Sequence, residues 1–151
     1  MNSSVNNYRN INPKHKKLLF YALIGALLLA ILSVGGGYTE NELILDNNQL
    51  LITGLYGEEI PISEIQLIEL TNKRPSLRKR ISGFSTGNRK KGFFRTNGGE
   101  KIKAIINSNV RPWILITKKS GDKIYFSSNG KSNKSIYEEL KKTLPSNTYN
   151  N

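Results

Sequence analysis

The residues best suited to chemistry form one basic segment, residues 73–95, which holds nine lysines and arginines and no acid. Three phenylalanines and three glycines lie among these bases, so aromatic surface and backbone freedom accompany the positive charge. Near an anionic lipid leaflet each base contributes about 1 kcal/mol within a Debye length. The candidate anionic-ligand-binding residues are Lys73, Arg74, Arg78, Lys79, Arg80, Arg89, Lys90, Lys91 and Arg95.

The distribution of charge leaves other interpretations of this segment open. Residues 38–72 carry seven acids and no base, within a chain of net charge +12, so the basic segment could simply solvate or orient the domain. Bases interleaved with aromatics also suit single-stranded nucleic acid. A membrane tether and an external domain argue against a nucleic-acid partner.

The sequence gives little support to catalysis. It contains no cysteine, and its single histidine, His15, precedes the domain, so no nucleophile–histidine pair is available within it. Gly87 and Gly92 have the spacing of a P-loop, but Phe93 and Phe94 stand where that motif requires Lys and Ser or Thr.

Acidic residues are the remaining candidates for acid–base chemistry or for binding a hard cation. They alternate with apolar residues, which favours the outward face of a strand over a reactive cluster. We therefore expect a non-enzymatic protein without a cofactor or a metal ion. The residues concerned are Glu58, Glu59, Glu64 and Glu69.

An unbroken apolar run, Leu18–Val34, dominates the first part of the chain. At about 1.5 Å per helical residue it just spans a hydrocarbon core of about 30 Å. The run is longer than the apolar region of a signal peptide and lacks an alanine cleavage pattern, which predicts an uncleaved anchor. Bases before the run and acids after it predict a cytoplasmic N-terminus and an extracytoplasmic domain, with the opposite orientation left open.

Within this run Ala22, Ala26 and Ala30 recur every four residues. Such a stripe lets two membrane helices approach closely and is a candidate for self-association. Alanine is also common in membrane helices, so the stripe has an ordinary explanation as well.

Seven short apolar or alternating segments after the anchor predict β-strands. Turn signals separate several of them, including Asn47-Asn48, residues 97–99 and residues 120–122. The predicted strands are residues 42–46, 49–53, 64–70, with a bulge near Ile68, then 92–96, 100–106, 113–117 and 123–127.

The pattern then changes to the helical period. Ile136, Tyr137, Leu140 and Leu144 share one face of a predicted helix, which Pro145 ends. Ser135 and Glu138 match a capping box, and Ser132 offers a start one turn earlier.

This order of elements resembles a pleckstrin-homology (PH) domain, and in particular the bacterial PH-like domains that follow membrane helices. The resemblance rests on residues 50–57 (LLITGLYG), 60–65 (IPISEI) and 81–95 (ISGFSTGNRKKGFFR), with Pro112-Trp113 before a strand. It implies two near-orthogonal sheets that form a partly open barrel plugged by the C-terminal helix. Many relatives carry two membrane helices, which return the domain to the cytoplasm, where this chain has one. The first hairpin has no base, so phosphoinositide recognition is not implied.

Together these patterns predict a mainly β protein with one C-terminal helix, built as a seven-stranded PH-like barrel behind a single transmembrane helix. Its expected parts are a polar tail (1–17), the membrane helix (18–36), the PH-like domain (37–144) and a C-terminal tail (145–151). We expect an interaction module that binds an anionic lipid, an envelope polymer or an acidic protein through its basic loop. The alternative is a structural subunit of a membrane assembly, in which the basic loop only solvates or orients the domain.

Overall fold

A computed structural model of the chain describes residues 13–149, which divide into two compact units at Gly35/Gly36. The first helix, α1, runs from Pro13 to Tyr38 and is longer at both ends than predicted. Its stretch Lys14–Leu32 has a mean hydropathy of 1.7 and is long and apolar enough to cross a membrane. The predicted N-terminal tail lies outside the described residues as far as residue 12.

The second unit is a β-domain of two sheets and a C-terminal helix. The three-stranded sheet has the order β1-β2-β3, and the six-stranded sheet has the order β4-β8-β9-β7-β6-β5. The strands are β1 (Leu43–Asp46), β2 (Gln49–Ile52), β3 (Glu58–Pro61), β4 (Ile65–Thr71), β5 (Leu77–Thr86), β6 (Arg89–Thr96), β7 (Lys101–Ile106), β8 (Trp113–Lys118) and β9 (Lys123–Ser127). Helix α2 is Asn133–Thr143.

All seven predicted strands are present, and β3 and β5 are additional. The described residues therefore form nine strands in two sheets that do not close, instead of the expected seven-stranded barrel. The largest difference is β5, which converts much of the predicted basic loop into a hairpin with β6.

Turn chemistry explains the first hairpin. Asn47 and Asn48 join β1 to β2 with φ angles of 44° and 64°. Two consecutive positive φ angles define a type I′ turn, and asparagine tolerates this conformation. The Asn-Asn signal therefore predicts this hairpin correctly.

The six-stranded sheet is antiparallel except where β7 and β9 run parallel. After β7 the chain forms β8, one strand position away from β7. Strand β9 then lies between them and pairs with both. The β4–β8 ladder is irregular between Ile65 and Leu67, one residue before the predicted bulge at Ile68.

One apolar core joins both sheets to α2. Isoleucines dominate it, with Leu50 and Ile60 from the smaller sheet and Ile116 and Phe126 from the larger one among its fully buried members. Trp113, at the start of β8, is only 1% exposed.

Helix α2 covers this core with one face. Ile136, Tyr137 and Leu140 are buried, as the helical period predicts. The helix begins at Asn133, with Ser132 at its N-cap, so it follows the earlier of the two predicted starts. The Asn133 side chain is buried and bonds to the backbone of three loop residues, Val110, Pro112 and Ser128.

The segment after α2 also reaches the core. Tyr149 is buried, donates its hydroxyl hydrogen bond to the Leu140 carbonyl at 2.6 Å and contacts the Tyr137 ring edge-on at 5.8 Å. Part of the predicted C-terminal tail is therefore a packing element, and residues 150–151 lie outside the described chain.

Two glycines allow β5 and β6 to approach each other closely. Gly83 and Gly92 are opposite each other, with φ angles of 125° and 128°. A Cβ atom on Gly92 would lie 2.3 Å from the Ser82 carbonyl oxygen, and one on Gly83 would lie 2.1 Å from the Lys91 carbonyl oxygen. Only glycine fits either position without moving a strand.

We expect Gly92→Ala to lower the free energy of unfolding by about 2 kcal/mol or more, because it combines a backbone clash with a strained φ angle. Gly98→Ala is the matched control, since its Cβ would meet only the Thr96 hydroxyl, at 3.8 Å. Denaturant unfolding of the full chain in detergent, followed by circular dichroism, measures both. Equal stability of the two variants would contradict this account of the hairpin.

Candidate anionic-ligand surface

The nine predicted site residues do not form one surface. The β5–β6 hairpin separates them by their position along the strands and by their burial. Six are exposed and three are partly or fully buried. The exposed ones are Lys73, Arg74, Arg78, Lys79, Arg80 and Arg95, and the others are Arg89, Lys90 and Lys91.

Five exposed bases lie at the β5 end of the larger sheet and project from both of its faces, since consecutive strand residues alternate. Arg78, Lys79 and Arg80 lie on β5, which pairs only with β6 among the described strands. Lys79 is opposite Arg95, and Arg95 is in turn opposite Lys101 on β7. We call these five exposed residues the basic edge.

Three members of the basic edge repel one another. Residues directly opposite in a ladder project from the same face, so Lys79, Arg95 and Lys101 form a row of like charge. Such pairs destabilise a sheet, and an anionic partner would relieve the repulsion. Lys101 was not among the predicted site residues, although its alternation with apolar neighbours in β7 is a signal for this row.

Lys73 and Arg74 lie outside the ladder, in the exposed connection before β5. Arg74 is close enough to influence Lys90 on β6: burial, and then the charge of Arg74, lowers the pKa of Lys90. The Lys90 ammonium also donates to the Gly87 carbonyl at 2.9 Å, within the hairpin turn. Lys90 therefore serves the hairpin itself.

Arg89 and Lys91 bind the last residue of α1 and the residue after it. Arg89 donates to the Tyr38 carbonyl and lies 5.6 Å from the centre of the Tyr38 ring, and Lys91 donates to the Thr39 carbonyl. Phe84 contacts the Tyr38 ring edge-on at 5.2 Å. These two bases have internal partners and are poorly placed to bind a ligand.

Lys91 is fully buried in spite of its charge. Burial, followed by the nearby charge of Arg89, lowers the pKa of Lys91 from 10.5 to about 8, while the Glu40 carboxylate acts in the opposite direction. The sequence offers no local signal for this burial, because Thr39 is 52 residues away along the chain.

Glu40 and Asn41 complete the connection between α1 and the β-domain. Glu40 accepts hydrogen bonds from the Ser128 hydroxyl at 2.6 Å and from the N–H groups of Asn129 at 2.6 Å and Gly130 at 2.9 Å. Burial raises the pKa of Glu40, but these hydrogen bonds and the charge of Arg89 outweigh it and lower that pKa overall. Asn41 is fully buried, donates to the Leu55 carbonyl at 3.0 Å and exchanges hydrogen bonds with Asn107.

A second ionic cluster joins the two sheets. Glu58 on β3 lies 3.0 Å from the Lys103 ammonium on β7 and 3.1 Å from the Lys118 ammonium on β8. Glu58 was predicted on an outward strand face, whereas it bridges the sheets beside the Phe93 ring. Its partners lie 45 and 60 residues further along the chain, beyond the reach of local patterns.

Across residues 13–149, no three His, Cys, Asp or Glu side chains come together in a way that could hold a metal ion. An apolar groove of about 550 Å³ lies between β1 and α2, lined by Leu43, Leu45, Ile136 and Leu140 among others. Sequence patterns did not predict this groove, because it forms where two distant elements meet.

Comparisons with protein-family models, curated proteins and solved structures find no match to this chain. The resemblance to PH-like domains thus stays a prediction. The structure itself establishes an N-terminal apolar helix and a β-sheet domain with a C-terminal helix.

We expect Glu40→Ala to lower the free energy of unfolding by about 1–2 kcal/mol, because the buried Ser128 hydroxyl and two N–H groups lose a charged acceptor. Glu59→Ala is the control, since Glu59 is also an exposed acid and accepts no comparable set of bonds. Denaturant unfolding at pH 7 measures both variants. If Glu59→Ala were equally destabilising, the loss would reflect charge and not these bonds.

The lowered pKa of Lys91 predicts that the stability of the fold rises with pH. Its folded pKa of about 8 lies below the ordinary 10.5, so the unfolded chain binds more protons between these values. The free energy of unfolding should therefore increase through this window, by about 1–3 kcal/mol relative to Lys91→Met. Unfolding of both proteins from pH 7 to 10 measures the difference, and parallel pH profiles would show that Lys91 does not titrate as described.

Proposed function

We propose that this protein is a non-enzymatic, membrane-anchored interaction module whose basic edge binds an anionic partner. The observation that carries the proposal is the row of like charges Lys79–Arg95–Lys101 beside Arg78 and Arg80, on a sheet edge left open by the described strands. Positive charges placed opposite one another cost stability, and a bound anion would offset that cost.

The anchor in this proposal is α1. Its length and composition support a membrane span, and the flanking charges support an N-terminus in the cytoplasm with the β-domain outside. A PH-like relationship fits the arrangement of a β-domain closed by a C-terminal helix directly after a membrane helix. The internal roles of Arg89 and Lys91 leave the basic edge as the contact surface.

The chemistry admits three sources of anion: lipid headgroups, an envelope polymer and an acidic protein. A structural role in a membrane assembly is the second candidate function. It is favoured by the open edges of the two sheets, among them β1 and β5, which offer unpaired backbone groups to another chain.

Salt elution from a polyanion tests the surface whatever the natural partner is. We expect the full chain, held in neutral phosphatidylcholine nanodiscs, to bind a heparin column. The triple variant Arg78→Ser, Lys79→Ser, Arg80→Ser should elute at a salt concentration lower by about 0.1 M or more, since each lost contact weakens the salt-dependent attraction.

The control removes the same charge elsewhere, through Lys119→Ser, Lys134→Ser and Lys142→Ser, which are exposed and outside the hairpin. It should elute close to the unmodified chain. Identical elution of the two triple variants would refute a localised anion-binding edge. Co-sedimentation with phosphatidylglycerol vesicles, set against phosphatidylcholine vesicles, then distinguishes a lipid partner from the other two sources.

A further inference from the structure

Among the described strands, each sheet of the β-domain has two end strands: β1 and β3 in the smaller sheet, and β4 and β5 in the larger one. Within residues 13–149, β1 pairs only with β2, and β5 pairs only with β6. Glu42 accepts a hydrogen bond from the Thr53 N–H across the β1–β2 ladder. Hydrogen-bonded and non-hydrogen-bonded residues alternate along an antiparallel pair. The backbone N–H and C=O groups of Leu43 and Leu45 therefore point away from β2, and a further strand could bind them.

Strands β1 and β5 carry opposite charge. The exposed residues Glu42, just before β1, and Asp46, at its end, flank Ile44, whereas β5 presents three bases followed by Ile81. Two copies of β1 repel each other, as do two copies of β5, but one of each attracts. Charges and irregular pairing on an edge strand ordinarily prevent indiscriminate association, and both occur on β5. A partner that neutralises the bases is the one this edge admits.

The two edges also share an uncovered apolar side chain. Ile44 is 42% exposed and Ile81 is 47% exposed. Few large apolar side chains of the described β-domain are so uncovered, and half of them lie on these two strands. The full set is Tyr38, Ile44, Ile81 and Val110.

Space for another strand exists beside β1. The groove of about 550 Å³ between β1 and α2 is lined by Leu43, Ile44 and Leu45, and Glu42 lies on its border. Its apolar residues suit the aliphatic part of an incoming strand. Its lining holds three glutamates against one base, Lys131, which suits that strand's bases.

We propose that strand β5 of one copy of this chain adds to strand β1 of a second copy, so that the basic edge meets the acidic edge head to tail. This inference rests on the proposed function. It identifies the anionic partner of the basic edge as a second copy of this chain. The interface is heterologous, because each copy contributes a different edge, and it can therefore extend beyond a dimer.

Cysteine cross-linking tests the pairing directly, since the chain has no cysteine of its own. Two differently tagged full-length chains, one with Ile44→Cys and the other with Ile81→Cys, are co-expressed in membranes and oxidised with copper phenanthroline. We expect a disulfide-linked heterodimer, at least about fivefold more abundant than either homodimer because like edges repel. A chain with both substitutions should form a ladder of higher oligomers.

Charge reversal tests the specificity of this pairing. Arg78→Glu, Lys79→Glu and Arg80→Glu in the Ile81→Cys chain should abolish the cross-link, and Glu42→Lys with Asp46→Lys in the other chain should restore it. Restoration requires both variants to be folded, so it separates repulsion from misfolding. Lys119→Cys, an exposed position on neither edge, replaces Ile44→Cys as the control and should give only background cross-linking.

The outcomes separate this inference from the proposed function. If no heterodimer forms while heparin binding stays intact, head-to-tail pairing is overturned, and an anionic lipid, an envelope polymer or a different acidic protein is the partner. Loss of edge-dependent heparin binding overturns the proposed function itself. Homodimers as abundant as the heterodimer, or a cross-link insensitive to charge reversal, also overturn the inference.

Discussion

Burial of an isoleucine-rich core between two unequal sheets is the interaction on which the β-domain depends. The smaller sheet, the larger sheet and α2 all contribute to this one core, whereas a second, smaller apolar cluster lies on the larger sheet alone. Because the sheets share a core without closing into a barrel, each retains a strand with free backbone groups. The fold thus obtains stability from its interior and keeps its edges available for association.

Local patterns predicted the elements whose own residues alternate, and missed those that depend on a distant partner. The β1–β2 hairpin and the buried face of α2 followed from turn chemistry and period. Strand β5 was not predicted, because its bases and its exposed Ile81 show no alternation of polar and apolar residues. It is a strand because it pairs with β6. The same reason applies to Lys91 and Glu58, whose partners are remote in sequence.

Charge that is contiguous in sequence is divided in space. The nine bases of residues 73–95 were predicted as one binding site, yet those near the hairpin turn are used within the domain. The remaining bases face outwards at the other end of the hairpin. A strand advances about 3.3 Å per residue, so Lys79 and Thr86 lie some 20 Å apart along β5. Composition located the basic segment. Only the pairing of β5 with β6 separates the bases that bind within the domain from those that are exposed to a ligand.

The attachment of residues 38–41 has a mechanical consequence. A pull transmitted through the chain from α1 reaches Tyr38 and Thr39 first, where Arg89 and Lys91 hold the backbone. It next meets the Asn41–Asn107 hydrogen bonds, before β1 is loaded. The hydrogen bonds around this junction carry the tension first. They must break before the tension can separate β1 from β2.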